Sequence, residues 1–90
     1  MNIQLIRNEI KQLTPDSGFN VILMDSFAPE GEKLTLVKHT EIQEDALLLQ
    51  QEYKELAKNG GLYADFVYIY DKDTLFHFDN KLKLEGDSLC

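Results

Sequence analysis

The chain carries a single cysteine, no tryptophan, two prolines and five glycines. Cys90 alone cannot close an internal disulfide, so nothing calls for an oxidising compartment and a cytoplasmic location is the expectation. Prolines and glycines are few, there is no low-complexity tract, and the composition sits away from the disordered class. Long apolar runs are also missing: no stretch approaches the roughly 20 apolar residues of a membrane span. Residues 1–13, MNIQLIRNEIKQL, are amphipathic where a signal peptide would carry a continuous apolar core. Positive charge is scarce, with 9 Lys and Arg against 16 Asp and Glu and a formal net charge of −7. Phosphate-backbone contact needs clustered cations, so direct nucleic-acid binding is not expected, nor is binding to an anionic membrane.

What is present is an ordinary globular composition, 43% hydrophobic and 28% charged over 90 residues. It reads as one domain, residues 1–90, with residues 80–90 expected to fray in part. A chain this short buries only roughly 60 to 65% of its extended surface, so its core must be thin.

Along residues 2–13, Ile3, Ile6, Ile10 and Leu13 recur at helical spacing, and Thr14-Pro15-Asp16-Ser17-Gly18 stops that helix. Residues 19–27 read as a strand whose middle, Val21-Ile22-Leu23-Met24, is apolar on both faces, as in a central strand. Residues 33–39 alternate and return as a second, antiparallel strand. Thr40 and Gln43 fit a capping box that opens a helix reaching Lys58, with Ile42, Ala46, Leu49, Tyr53, Leu56 and Ala57 along one face. Asn59-Gly60-Gly61 supplies its C-cap. Leu47 falls well off the stripe and Leu48 at its margin.

Residues 62–78, LYADFVYIYDKDTLFHF, hold three of the four tyrosines and three of the five phenylalanines. They read as a β-hairpin turning at Lys72 and Asp73, with Tyr68 opposite His77. Alternation then puts Val67, Ile69, Phe76 and Phe78 on a core face and Phe66, Tyr68, Tyr70, Leu75, His77 and Asp79 on the other. Leu82 and Leu84 would extend the last strand. The predicted fold is α+β in αββαββ order, a four-stranded, mostly antiparallel sheet with two helices packed on one face and the other face open.

That open face is the leading functional candidate: Phe66, Tyr68, Tyr70, Leu75 and His77, joined by Met24 and Leu36, form an aromatic and apolar interaction surface. It implies a small, non-enzymatic interaction or regulatory module with a protein partner, most simply a second copy of itself in a homodimer. The alternative is an acidic inhibitor or nucleic-acid mimic that presents Glu41, Glu44, Asp45, Glu52 and Glu55 to a basic protein, weighed against a solvated face that keeps the chain soluble. A small enzyme or ligand-binding domain is the third reading.

Chemistry-bearing patterns are thin. His39 and His77 lack partners at metal-ligand spacing, and Asp71-Lys72-Asp73 lacks the glycine and closing glutamate of a calcium loop. Ser17, Ser26, Ser88 and Cys90 lie in turns, strand ends or the tail with no base beside them in sequence. No phosphate-binding glycine loop occurs. The expectation is therefore no catalytic residue, no cofactor and no metal.

Overall fold

In the computed structural model the elements run α1 (Ile3–Leu13), β1 (Phe19–Met24), β2 (Leu34–Thr40), α2 (Gln43–Lys58), β3 (Phe66–Tyr70) and α3 (Thr74–Leu89). The residues described are 3–60 and 64–89, with side chains as far as Lys81. Leu62 and Tyr63 of the expected hairpin, Gly61 of the expected C-cap, Cys90 and the side chains of Leu82 and Leu84 fall outside them.

The three strands form one antiparallel sheet in the order β2-β1-β3. β1 is central, which explains why its middle is apolar on both sides: Val21 and Ile22 are both 0% exposed. On one face Val21 and Val67 pack with Ala46 of α2, flanked by Leu23, Val37, Leu49, Tyr53 and Ile69. On the other, Ile22 and Tyr70 pack with Ile6 and Ile10 of α1, flanked by Leu13, Leu34, Leu75 and Phe78. A centrally placed isoleucine such as Ile22 is worth about 2–5 kcal/mol against alanine, so the core rests on few side chains.

Local chemistry fixes the connections. Thr14 Oγ1 donates to the Ile10 carbonyl at 2.7 Å, and Pro15 ends α1. Gly18 has φ +69°, and a Cβ there would sit 2.8 Å from both the Thr40 carbonyl and Glu41 Oε2. Both its backbone angle and its surroundings require glycine. Asn20, buried beside it, donates from Nδ2 to the Leu13 carbonyl at 2.7 Å and so binds the end of α1 to the start of β1. In the β1–β2 loop, Lys33 is buried and its Nζ donates to the Ser26 and Ala28 carbonyls at 2.7 and 2.8 Å.

The four-stranded, two-helix arrangement is overturned: among the described residues the sheet has three strands, and residues 74–89 form a third helix. The reason lies in Asp71-Lys72-Asp73-Thr74. Asp71 Oδ1 accepts the Asp73 N–H at 2.9 Å while Thr74 Oγ1 accepts the Asp71 N–H at 2.8 Å. This reciprocal pair satisfies donors at a helix start, where a hairpin turn was expected. Leu75 and Phe78 then share a helix face into the core, and Phe76 becomes exposed. Leu82 and Leu84 lie in the helix and extend no strand. Helices cover both faces of the sheet, α2 on one and α1 with α3 on the other, so the expected open face is largely roofed. α2 also begins later than expected: Thr40 ends β2, the N-cap is Ile42 without a side-chain cap, and Thr40 Oγ1 accepts only the Ile42 N–H at 3.3 Å. Gly60, at φ +79°, terminates α2.

Candidate interaction surface

Phe66, Tyr68 and Tyr70 alternate onto one face of β3 and their rings stack in sequence, with centroids 5.9 Å and 6.3 Å apart. Exposure grades along the row: Phe66 is 53% exposed, Tyr68 37% and Tyr70 7%. The cause is the roof, because α1 and α3 close over the Tyr70 end. Tyr68 directs its hydroxyl to Met24 Sδ at 3.8 Å, and the Tyr68 end opens into an apolar groove of about 370 Å3 between α1, α3 and the sheet. Ile6, Leu34 and Phe78 also line it.

The seven residues expected to form a surface are therefore divided. Phe66 and Tyr68 lie exposed on β3, Leu36 is exposed on β2, and Met24 is half-buried between them. Tyr70 and Leu75 are taken into the core beneath α1. His77 is exposed on α3, edge-on to Phe76 with centroids 5.8 Å apart, and does not stand opposite Tyr68.

Among the described residues the ladder leaves one side of β3 without a neighbouring strand. Backbone groups of a strand alternate between its two neighbours. Asp25 N–H donates to the Lys33 carbonyl on the β2 side, and the Met24 carbonyl accepts Asp65 N–H on the β3 side. Asn20, Ile22 and Met24 thus turn toward β3, where they stand opposite Tyr70, Tyr68 and Phe66. The N–H and C=O groups of Val67 and Ile69 consequently point to the outer edge. Gln50 of α2 donates from Nε2 to one of them, the Val67 carbonyl, at 2.8 Å. A groove of about 550 Å3 follows this edge, lined by residues 64–68 with Gln50, Lys54, Ala57 and Lys58 of α2. Among the described residues neither lysine forms an ion pair. Asp65 is drawn away from them: its Oδ2 accepts both the N–H, at 2.8 Å, and the hydroxyl of Ser26, which holds its pKa below the usual carboxylate range. Sequence reasoning missed this edge. Lys54 and Lys58, four residues apart near the helix end, were the available signal.

Other polar groups serve the fold. His39 lies between Asn20 Oδ1 at 2.7 Å and Glu41 Oε1 at 2.8 Å and latches β2 to β1. Glu9 is buried on α1; its Oε1 accepts the Leu34 N–H at 2.8 Å, and Oε2 has no partner among the described residues. Burial, the neighbouring Tyr68 and the Glu9 charge push the Tyr70 hydroxyl up to about 12. Burial also raises that of Tyr68.

Glu41, Glu44, Asp45, Glu52 and Glu55 are all exposed on or just before α2, interspersed with exposed Leu47 and Leu48. No group of three or more His, Cys, Asp or Glu among the described residues could hold a metal ion, and no helix among them is long and apolar enough to cross a membrane. Comparison with protein-family models, with curated proteins and with solved structures found no match.

Proposed function

We propose that this protein is a small, non-enzymatic interaction module that engages a protein partner through the open end of its aromatic row. Phe66 and Tyr68 form the centre of the surface, with Leu36 and Met24 beside them. The observation that carries the reading is the graded row itself: three stacked rings, one locked in the core and two presented outward. A buried end makes the exposed rings rigid, and rigid aromatic side chains lose little entropy on binding. A cytoplasmic location belongs to the same proposal, from the lone cysteine.

A second reading has α2 present its acids to a basic protein, supported by the run of exposed carboxylates with Leu47 and Leu48 among them. Capture from lysate separates the two. The aromatic reading expects Phe66→Glu/Tyr68→Glu to lose a partner that survives moderate salt. The acidic reading expects Glu44→Lys/Glu52→Lys to lose one that salt already weakens. A partner retained by the aromatic double variant would contradict the first.

A further inference from the structure

On that reading of the aromatic row, we infer that the partner is a second copy of the chain, joined along the free edge of β3 about a two-fold axis at Tyr68 into a six-stranded sheet. β3 is the edge suited to it. Its five residues, Phe66-Val67-Tyr68-Ile69-Tyr70, carry no charge, proline or bulge. Uncharged, regular edges of β-branched and aromatic residues are templates for pairing. β2, the other edge, has a register shift opposite Val21/Ile22 and carries Lys38 and an exposed His39, the features that blunt an edge.

The register follows from the backbone. Val67 and Ile69 present their N–H and C=O groups outward, so an antiparallel copy satisfies all of them when Val67 of each chain faces Ile69 of the other. That choice places Tyr68 beside its own symmetry mate, and Phe66 beside the other copy's Tyr70. The exposed rings of both chains then form one continuous aromatic strip. Gln50 does not compete, because a carbonyl oxygen accepts two hydrogen bonds.

Charge complements the same register. Asp71 of the second copy falls level with Asp65, on the α2 side of the sheet where Lys54 and Lys58 line the groove. Asp65 gives its Oδ2 to Ser26, and Asp71, whose Oδ1 caps α3, keeps its Oδ2 to meet the two lysines of the other copy. Each chain repeats the arrangement, as an isologous two-fold requires.

The test combines sedimentation of the wild-type chain with cysteine scanning in a Cys90→Ser background. Tyr68 and its mate would form a non-hydrogen-bonded pair with Cα atoms about 4.5 Å apart, inside the range a disulfide spans. The Phe66 pair would lie about 13 Å apart along the strands, outside it. The expected results are a wild-type dimer, a covalent dimer from Tyr68→Cys under mild oxidation, and none from Phe66→Cys. Lys54→Glu/Lys58→Glu should weaken the dimer about tenfold, as two exposed pairs reversed would. A wild-type chain monomeric at the highest attainable concentration overturns the inference. So does a dimer in which Phe66→Cys cross-links to itself or Tyr68→Cys fails to. In either case a lysate partner lost by Phe66→Glu/Tyr68→Glu would leave the interaction-module reading standing with a different occupant.

Discussion

Arg7 on α1 and Asp79 on α3, 72 residues apart in the chain, face each other through two parallel bonds, Nε to Oδ1 at 2.8 Å and an Nη to Oδ2 at 3.0 Å. This fork joins the two helices that roof the aromatic row, and it ties the last element to the first. The guanidinium, by its hydrogen bond and its charge, holds Asp79 below the usual carboxylate range.

The fork therefore gives the fold an acid limb with a definite sign. A carboxylate depressed in the folded state contributes stability above its unfolded value, near 3.9, and loses it as pH falls through the lower folded value. Asp65, depressed by Ser26, acts in the same direction. Asp79→Asn and Asp65→Asn should each make unfolding less sensitive to pH below about 4. Urea titrations across that window check it, and an unchanged acid limb in both variants would count against these pairs.

At the other end of the scale Tyr70 sets an alkaline limb. Its folded value of about 12 lies above the ordinary 10. The group thus contributes stability in full below about 10, which is lost as pH rises toward about 12. Tyr70→Phe should stay folded to higher pH than the wild type in circular dichroism, despite losing a hydroxyl.

The Asp71–Thr74 pair separates a helix start from a hairpin turn. Asp71→Ala removes a cap worth about 1 kcal/mol and should lower helical signal and stability together. Thr74→Val, which keeps the shape and deletes the returning acceptor, should do the same to a smaller extent. Wild-type helicity in either variant would contradict the third helix.

That same pair shows where the sequence could be read and where it could not. The isoleucine stripe of α1, the doubly apolar β1 and the return of β2 were legible because each is a pattern within one segment. Residues 74–78 were not, since Thr, Leu, Phe and His accept a strand as readily as a helix, and only the Asp71-x-x-Thr74 spacing with Leu75 and Phe78 three apart argued for helix. Alternation correctly put Phe66, Tyr68 and Tyr70 on one side of a strand opposite Val67 and Ile69. Their unequal exposure depends on α1 and α3, elements distant in the chain, so nothing local in FVYIY distinguishes Tyr70 from Phe66. The free edge was hidden for a similar reason: it requires knowing that β1 and not α3's segment pairs with β3.

Glu9 offers a test of the thin core. Glu9→Gln keeps an acceptor for the Leu34 N–H and removes the buried charge, so it should leave stability near that of the wild type and ease the Tyr70 hydroxyl back toward its ordinary value. Glu9→Ala deletes the acceptor and should cost about 1–3 kcal/mol. Denaturant unfolding of the two variants, ranked the other way round, would contradict this role.

The most direct measurement is amide hydrogen exchange at β3 as a function of protein concentration. The N–H groups of Tyr68 and Tyr70 face β1 and should be protected at every concentration. Those of Val67 and Ile69 face outward and should exchange rapidly in dilute solution, then slow markedly as the chains pair. Rates at Val67 and Ile69 that do not change with concentration would contradict pairing along this edge.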